Sequence, residues 1–186
     1  MKRTLTLSLL IYCTVGPAVT ESQTPYAGLE SRGIKALSQA EIEGYTRGDG
    51  MGFALAAELN GYPGPKHVLE LAGELGLSPE QTTRTHEVFD AMQRAAAQLG
   101  DRVVQAESRL DAAFADGSIT PEVLTRSVSA IGLLLGELRA VHLAAHLETR
   151  ALLSVEQVER YAALRGYDDT DHSAMQHHKH GHSGVD

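Results

Sequence analysis

The chain has 186 residues, 16 of them basic and 24 acidic, for a formal net charge of -8; that length suits one domain with tails. Aromatic residues make up 5% and tryptophan is absent, which disfavours a β-sandwich core and suits helices packed through Ala and Leu. An acidic surface repels phosphate backbones, which argues against nucleic acid as a partner.

Lys2 and Arg3 precede a short apolar run from Leu5 to Val15, followed by small residues around Gly16, Ala18 and Thr20. These are the three parts of an export signal, so residues 1–20 are expected to be a signal peptide, cleaved near Ala18. The single cysteine, Cys13, lies inside that run. The mature protein is then free of thiols and disulfides, and any metal must be held by His, Met or carboxylate. No later segment reaches about 20 consecutive apolar residues, so no membrane span is expected once the signal is gone.

Residues 21–36 form a polar leader. Ser38 and Glu41 make a capping box, with Leu37 and Ile42 as its hydrophobic staple, and a short helix follows until Gly44, Gly48 and Gly50. Phe53 to Leu59 is a small helix stopped by Asn60-Gly61 and Pro63-Gly64-Pro65. Another helix is expected over 66–75, with His67 in its first turn beside Glu70. Leu77-Ser78-Pro79-Glu80-Gln81 then caps a long helix that runs to about Ala115. Its seam is Phe89, Met92, Ala96, Leu99, Val103, Ala106, Leu110 and Ala113, alternating steps of three and four; Gly100 is a tolerated weak point. After the turn at Asp116-Gly117-Ser118, Thr120-Pro121-Glu122 opens a second long helix ending at Leu153. Its seam reads Leu124, Val128, Ile131, Leu135, Leu138, His142 and Ala145. Leu153-Ser154-Val155-Glu156-Gln157 restates the earlier capping motif and starts a last helix up to Gly166. Residues 167–186 are polar and expected to be disordered.

Two long helices with matching seams and a short turn make an antiparallel hairpin. The fold class is therefore all-α: a long hairpin with short flanking helices, a four-helix hooked hairpin over residues 37–166.

His142 occupies a seam position where Leu would serve, and His146 follows one turn later on the same side. Such a pair is either hydrogen-bonded within a helical core or half of a metal site. Folding the hairpin about Gly117 places 142 across from 93 and 146 across from 89, at about 1.5 Å rise per residue. Phe89, Met92 and Gln93 then face the pair, with His86 and Asp90 within one or two turns. Imidazole suits zinc, copper, nickel and cobalt, and a thioether shifts the balance toward copper(I) or a weak axial contact. In the tail, His172, His177, His178, His180 and His182 form a second candidate for metal capture. Enzyme chemistry is not expected: the residues between the two helical histidines, Leu143-Ala144-Ala145, lack the glutamate base of zinc proteases. Ser78 and Ser154 read as caps rather than nucleophiles.

The export signal, the hairpin and the paired Leu-Ser-x-Glu-Gln boxes resemble the Spy/CpxP-like (LTxxQ motif) superfamily, over roughly residues 65–166. The branch they are most similar to is the periplasmic heavy-metal resistance and sensor proteins, such as CnrX and ZraP. Ser replaces Thr in both boxes and keeps the capping oxygen. The resemblance implies a periplasmic, often dimeric protein that binds a divalent transition metal (Zn, Cu, Ni or Co). His142 and His146 would be the ligands, completed by His86, Met92, Asp90 or His67. A membrane-bound signalling partner or efflux regulator would read the metal. The alternative the superfamily offers is an ATP-independent chaperone, for which the acid excess is unfavourable. The chain departs from the sensors in lacking a His-x-x-x-His pair in its N-terminal helix and a membrane anchor.

Overall fold

Four hydroxyl side chains cap the starts of four of the helices. In the computed structural model, which describes residues 25–167, Ser38 accepts from the Glu41 N–H while the Glu41 carboxylate accepts from the Ser38 N–H. Ser78 with Gln81 and Ser154 with Gln157 repeat that reciprocal box, and Thr120 caps through the Val123 N–H. Each cap satisfies donors that the first turn leaves unpaired, worth about 1 kcal/mol.

The helices are α1 (Gln39–Arg47), α2 (Leu55–Glu58), α3 (Pro65–Glu70), α4 (Pro79–Ala115), α5 (Pro121–Leu152) and α6 (Val155–Arg165), with no strand among the described residues. α4 and α5 pack along each other as the hairpin, α1 lies on α4, and α3 bridges both long helices. One core cluster joins Val103, Ala106, Ile131 and Leu134 beneath Tyr45 of α1. A second joins Val68, Leu75, Leu153 and Tyr161 where α3 and α6 meet.

The two capping motifs meet in space. Gln81 Nε2 donates to Gln157 Oε1 at 2.8 Å and to the Leu152 carbonyl at 2.8 Å. Gln157 Nε2 donates back to Gln81 Oε1 at 3.1 Å and to the Leu75 carbonyl at 3.3 Å. Each amide oxygen also accepts from its own cap residue's N–H. The repeat in the sequence is thus a clasp that closes the open end of the hairpin, and Gln rather than Glu is required because both partners must donate as well as accept.

The short elements differ from expectation. α2 spans four residues and α3 ends at Glu70, with turns continuing to Gly76; Gly73 and Gly76 cost helix roughly 1 kcal/mol each relative to Ala. The leader is tied down at its end, where Ile34 and Leu37 are buried and Lys35 pairs with Asp111. Gly100 is a contact rather than a weak point: a Cβ there would fall 2.0 Å from the Tyr45 carbonyl oxygen. Along α5 the seam drifts, with Leu134 buried while Leu124 and Val128 are exposed. α5 is also long and apolar enough to cross a membrane by length and composition, with 28% of its most apolar stretch buried. Glu137 and Arg139 interrupt its consecutive apolar residues without outweighing the leucines around them. Residues 1–20 and the tail histidines His172, His177, His178, His180 and His182 lie outside the described residues.

Candidate metal centre

Both histidines of α5 are brought inside. His142 is 2% exposed and His146 9%, and together they line a cavity of about 570 Å³ that also takes in Phe89, Met92 and Gln93 of α4. Those are the α4 positions that the register of the hairpin brings opposite them. The remaining walls come from the Gly48–Gly52 loop, α2, and the start of α3 with His67.

The two rings are held differently. His142 stacks on Phe53, with centroids 5.9 Å apart and planes within 8°. Its Nε2 is buried and has no hydrogen-bond partner. Burial drives its pKa below the usual 6.5, the nearby His146 adds to that, and Asp49 partly offsets it, so the ring favours the neutral form that binds metals. Leaving such a nitrogen unpaired costs on the order of 1–3 kcal/mol. A ring kept only for packing would be better replaced by leucine.

His146 is anchored through its other nitrogen. Nδ1 lies 2.7 Å from the Tyr62 carbonyl oxygen, which can only accept, so Nδ1 carries the hydrogen and the lone pair of the neutral ring falls on Nε2. Fixing a ligand's tautomer and orientation through a backbone carbonyl is a common device at metal sites. Gly64 lies against that edge of the ring: a Cβ there would come 2.9 Å from Cε1 and Nε2.

Behind His146 sits Glu58, 8% exposed. It accepts from the Gly64 N–H at 3.0 Å, from Tyr167 at 3.0 Å and from the Tyr161 hydroxyl. His146 Nδ1 and Arg165 Nε stand 3.7 Å away. Burial, then the bond to Glu58, pushes the Tyr161 phenol well above its ordinary range, which keeps it a donor. This network ties α2 and α6 to the back of the site.

The other residues expected at the site divide. His67 lines the cavity, with Nδ1 2.9 Å from Glu70, and Met92 lines it half-buried. His86 and Asp90 are exposed and not on its walls. The buried stripe of α4 runs through Thr85 and Ala96, and one residue beyond Thr85 the helix has turned by about 100°, which carries His86 off the inward face and Asp90 farther. Among the described residues no three His, Cys, Asp or Glu side chains lie together closely enough to hold a metal ion. Sequence reasoning overlooked Met51, Asp49 and Glu58. The one legible signal was Glu58, an acid closing the apolar run Phe53-Ala54-Leu55-Ala56-Ala57 just before a turn.

No protein-family model matches the chain, and no curated protein or solved structure matches it.

Proposed function

We propose that this is an exported metal-binding protein of the heavy-metal resistance and sensor kind found in the Spy/CpxP-like superfamily. It would hold a transition metal (Zn, Cu, Ni or Co) in the cavity between α4 and α5. The observation that carries this reading is His142: a buried neutral imidazole with an unpartnered Nε2, one turn from a second imidazole whose lone pair is set on Nε2 by Tyr62. The donors present fit such an ion, since unpaired imidazole nitrogens and thioethers are ligands for late transition metals. The ion would give the orphaned nitrogen its partner and draw α5 toward the Gly48–Gly52 loop. No step of chemistry is assigned; the protein binds rather than catalyses. A periplasmic location, a second copy of the chain and a membrane-bound reader of the metal state belong to the same proposal.

Calorimetric titration of the full chain with zinc, copper(II) and nickel tests it. The comparison is His142→Ala/His146→Ala, in a chain whose five tail histidines are replaced by asparagine. Loss of metal heat in the double variant is the expected result, and unchanged binding rejects the helical site.

The chaperone reading draws on a different feature. Leu133 and Leu147 are 65% and 58% exposed on the outer face of α5, and Phe114 is 57% exposed at the hairpin turn. A client cradle needs such apolar surface. Suppression of aggregation of an unfolding client, lost on Leu133→Ser/Leu147→Ser and untouched by His142→Ala, would favour this reading over metal binding.

A further inference from the structure

Within the metal-binding reading a doubly charged ion is the less well served candidate, because among the described residues no third His, Cys, Asp or Glu stands with His142 and His146 closely enough to complete its site. Of the cavity's carboxylates, Asp49 accepts on Oδ2 from Arg47 Nε at 3.1 Å and Nη2 at 2.8 Å, and Glu58 accepts from Gly64, Tyr161 and Tyr167. Lys66 lines the same cavity, adding positive charge where a divalent cation would want negative charge. Beside His142 Nε2 and His146 Nε2, the soft donors on the walls of the cavity are the thioethers of Met51 and Met92.

Met51 is placed at some cost. It is the single non-glycine residue with positive φ, 42°, among the described residues, in a loop that reads Gly50-Met51-Gly52. An unbranched side chain in that region is uncommon, and such strain tends to mark functional loops. Its side chain lies over bare Gly44, where a Cβ would come 2.8 Å from Sδ. The residue is 41% exposed, so three rotatable bonds leave the sulfur room to swing into the cavity.

We infer that the ion this cavity selects is copper(I), held by the Nε2 atoms of His142 and His146 and the sulfurs of Met51 and Met92. The inference rests on the proposed metal-binding reading and sharpens it. Thioethers are soft donors that favour copper(I), whereas zinc, nickel and cobalt in two-imidazole sites call for carboxylate or thiolate to complete them. A neutral four-donor set leaves one net positive charge with the bound ion, which suits a cavity already lined by Lys66 better than two would. Ligand exchange is the only chemistry involved, and the copper remains in the monovalent state throughout.

The test is anaerobic competition for copper(I) between bicinchoninate and the full chain carrying His172→Asn, His177→Asn, His178→Asn, His180→Asn and His182→Asn, with zinc titrated in parallel. Met51→Leu/Met92→Leu is expected to weaken copper(I) binding by about tenfold or more and to leave zinc within about twofold of its starting affinity. Leucine keeps the volume of methionine, so the fold is retained, and circular dichroism checks it. X-ray absorption at the copper edge of the protein with both methionines present is expected to show a sulfur shell beside nitrogen. If the methionine variant keeps its copper(I) affinity and no sulfur shell is seen, while His142→Ala/His146→Ala removes binding, the thioether assignment is overturned and the histidine site stands. If the histidine variant keeps both metals, the metal-binding reading itself falls.

Discussion

The two ends of the α4–α5 hairpin carry the same kind of seam and meet opposite fates. At the open end Ala96, Leu138, His142, Ala145 and Thr149 are buried beneath α1, the Gly48–Gly52 loop, α2 and α3, and the paired glutamines close it. At the turn end Phe114, Leu124 and Val128 are 57%, 39% and 52% exposed, since two helices by themselves cover only one side of each other. A heptad-like pattern therefore marks which residues can be buried. What docks on the hairpin determines which residues are buried, and the cavity exists only where the short elements are draped over it.

Substitutions at the two ends should separate most sharply. Leu138→Ala is expected to cost about 2–5 kcal/mol, and Val128→Ala to stay within about 0.5 kcal/mol of the parent, read as shifts in the guanidinium midpoint at constant slope. Equal losses would mean that the turn end is covered in solution, by a second copy or otherwise.

Glycine offers a comparison in which the sign itself changes. Gly100→Ala should destabilise by about 1–3 kcal/mol because the added Cβ would fall 2.0 Å from the Tyr45 carbonyl oxygen, a backbone atom of α1. Gly136→Ala, where a Cβ would meet nothing within 4 Å, should stabilise by up to about 1 kcal/mol through helix propensity. Thermal unfolding of the two variants decides it; a gain at Gly100 would show that α1 is not seated on α4.

The smallest effect tests the covered end against the metal site proposed for it. His142→Leu should raise the stability of the metal-free protein by about 1 kcal/mol, since it removes an unpartnered buried nitrogen, and on the proposed reading it should weaken metal binding. The same histidine sets a pH dependence. Its folded pKa lies below 6.5, so as the pH falls through 6.5 the unfolded chain takes up a proton that the folded chain refuses. Stability is full above 6.5 and declines below it toward the depressed folded value. His142→Leu should flatten that decline in denaturation midpoints measured across the acid range. An unchanged slope would mean that the ring is not held neutral by burial.

The sequence by itself determined the helical class, the starts of α1, α4, α5 and α6, and the pairing of His142 and His146 with Phe89, Met92 and Gln93. Caps and seams are local or depend on simple register, so they can be read from residue order. Only the tertiary structure decided that Gln81 and Gln157 clasp each other, that Gly100 admits the backbone of α1, and that His86 and Asp90 turn away. It also decided that Met51, Asp49 and Glu58 join the cavity from a loop and a four-residue helix. Those residues come from segments too short and too rich in glycine to carry a periodic signal. Their positions follow from how the chain doubles back over the hairpin, which is a matter of long-range packing and not of local sequence.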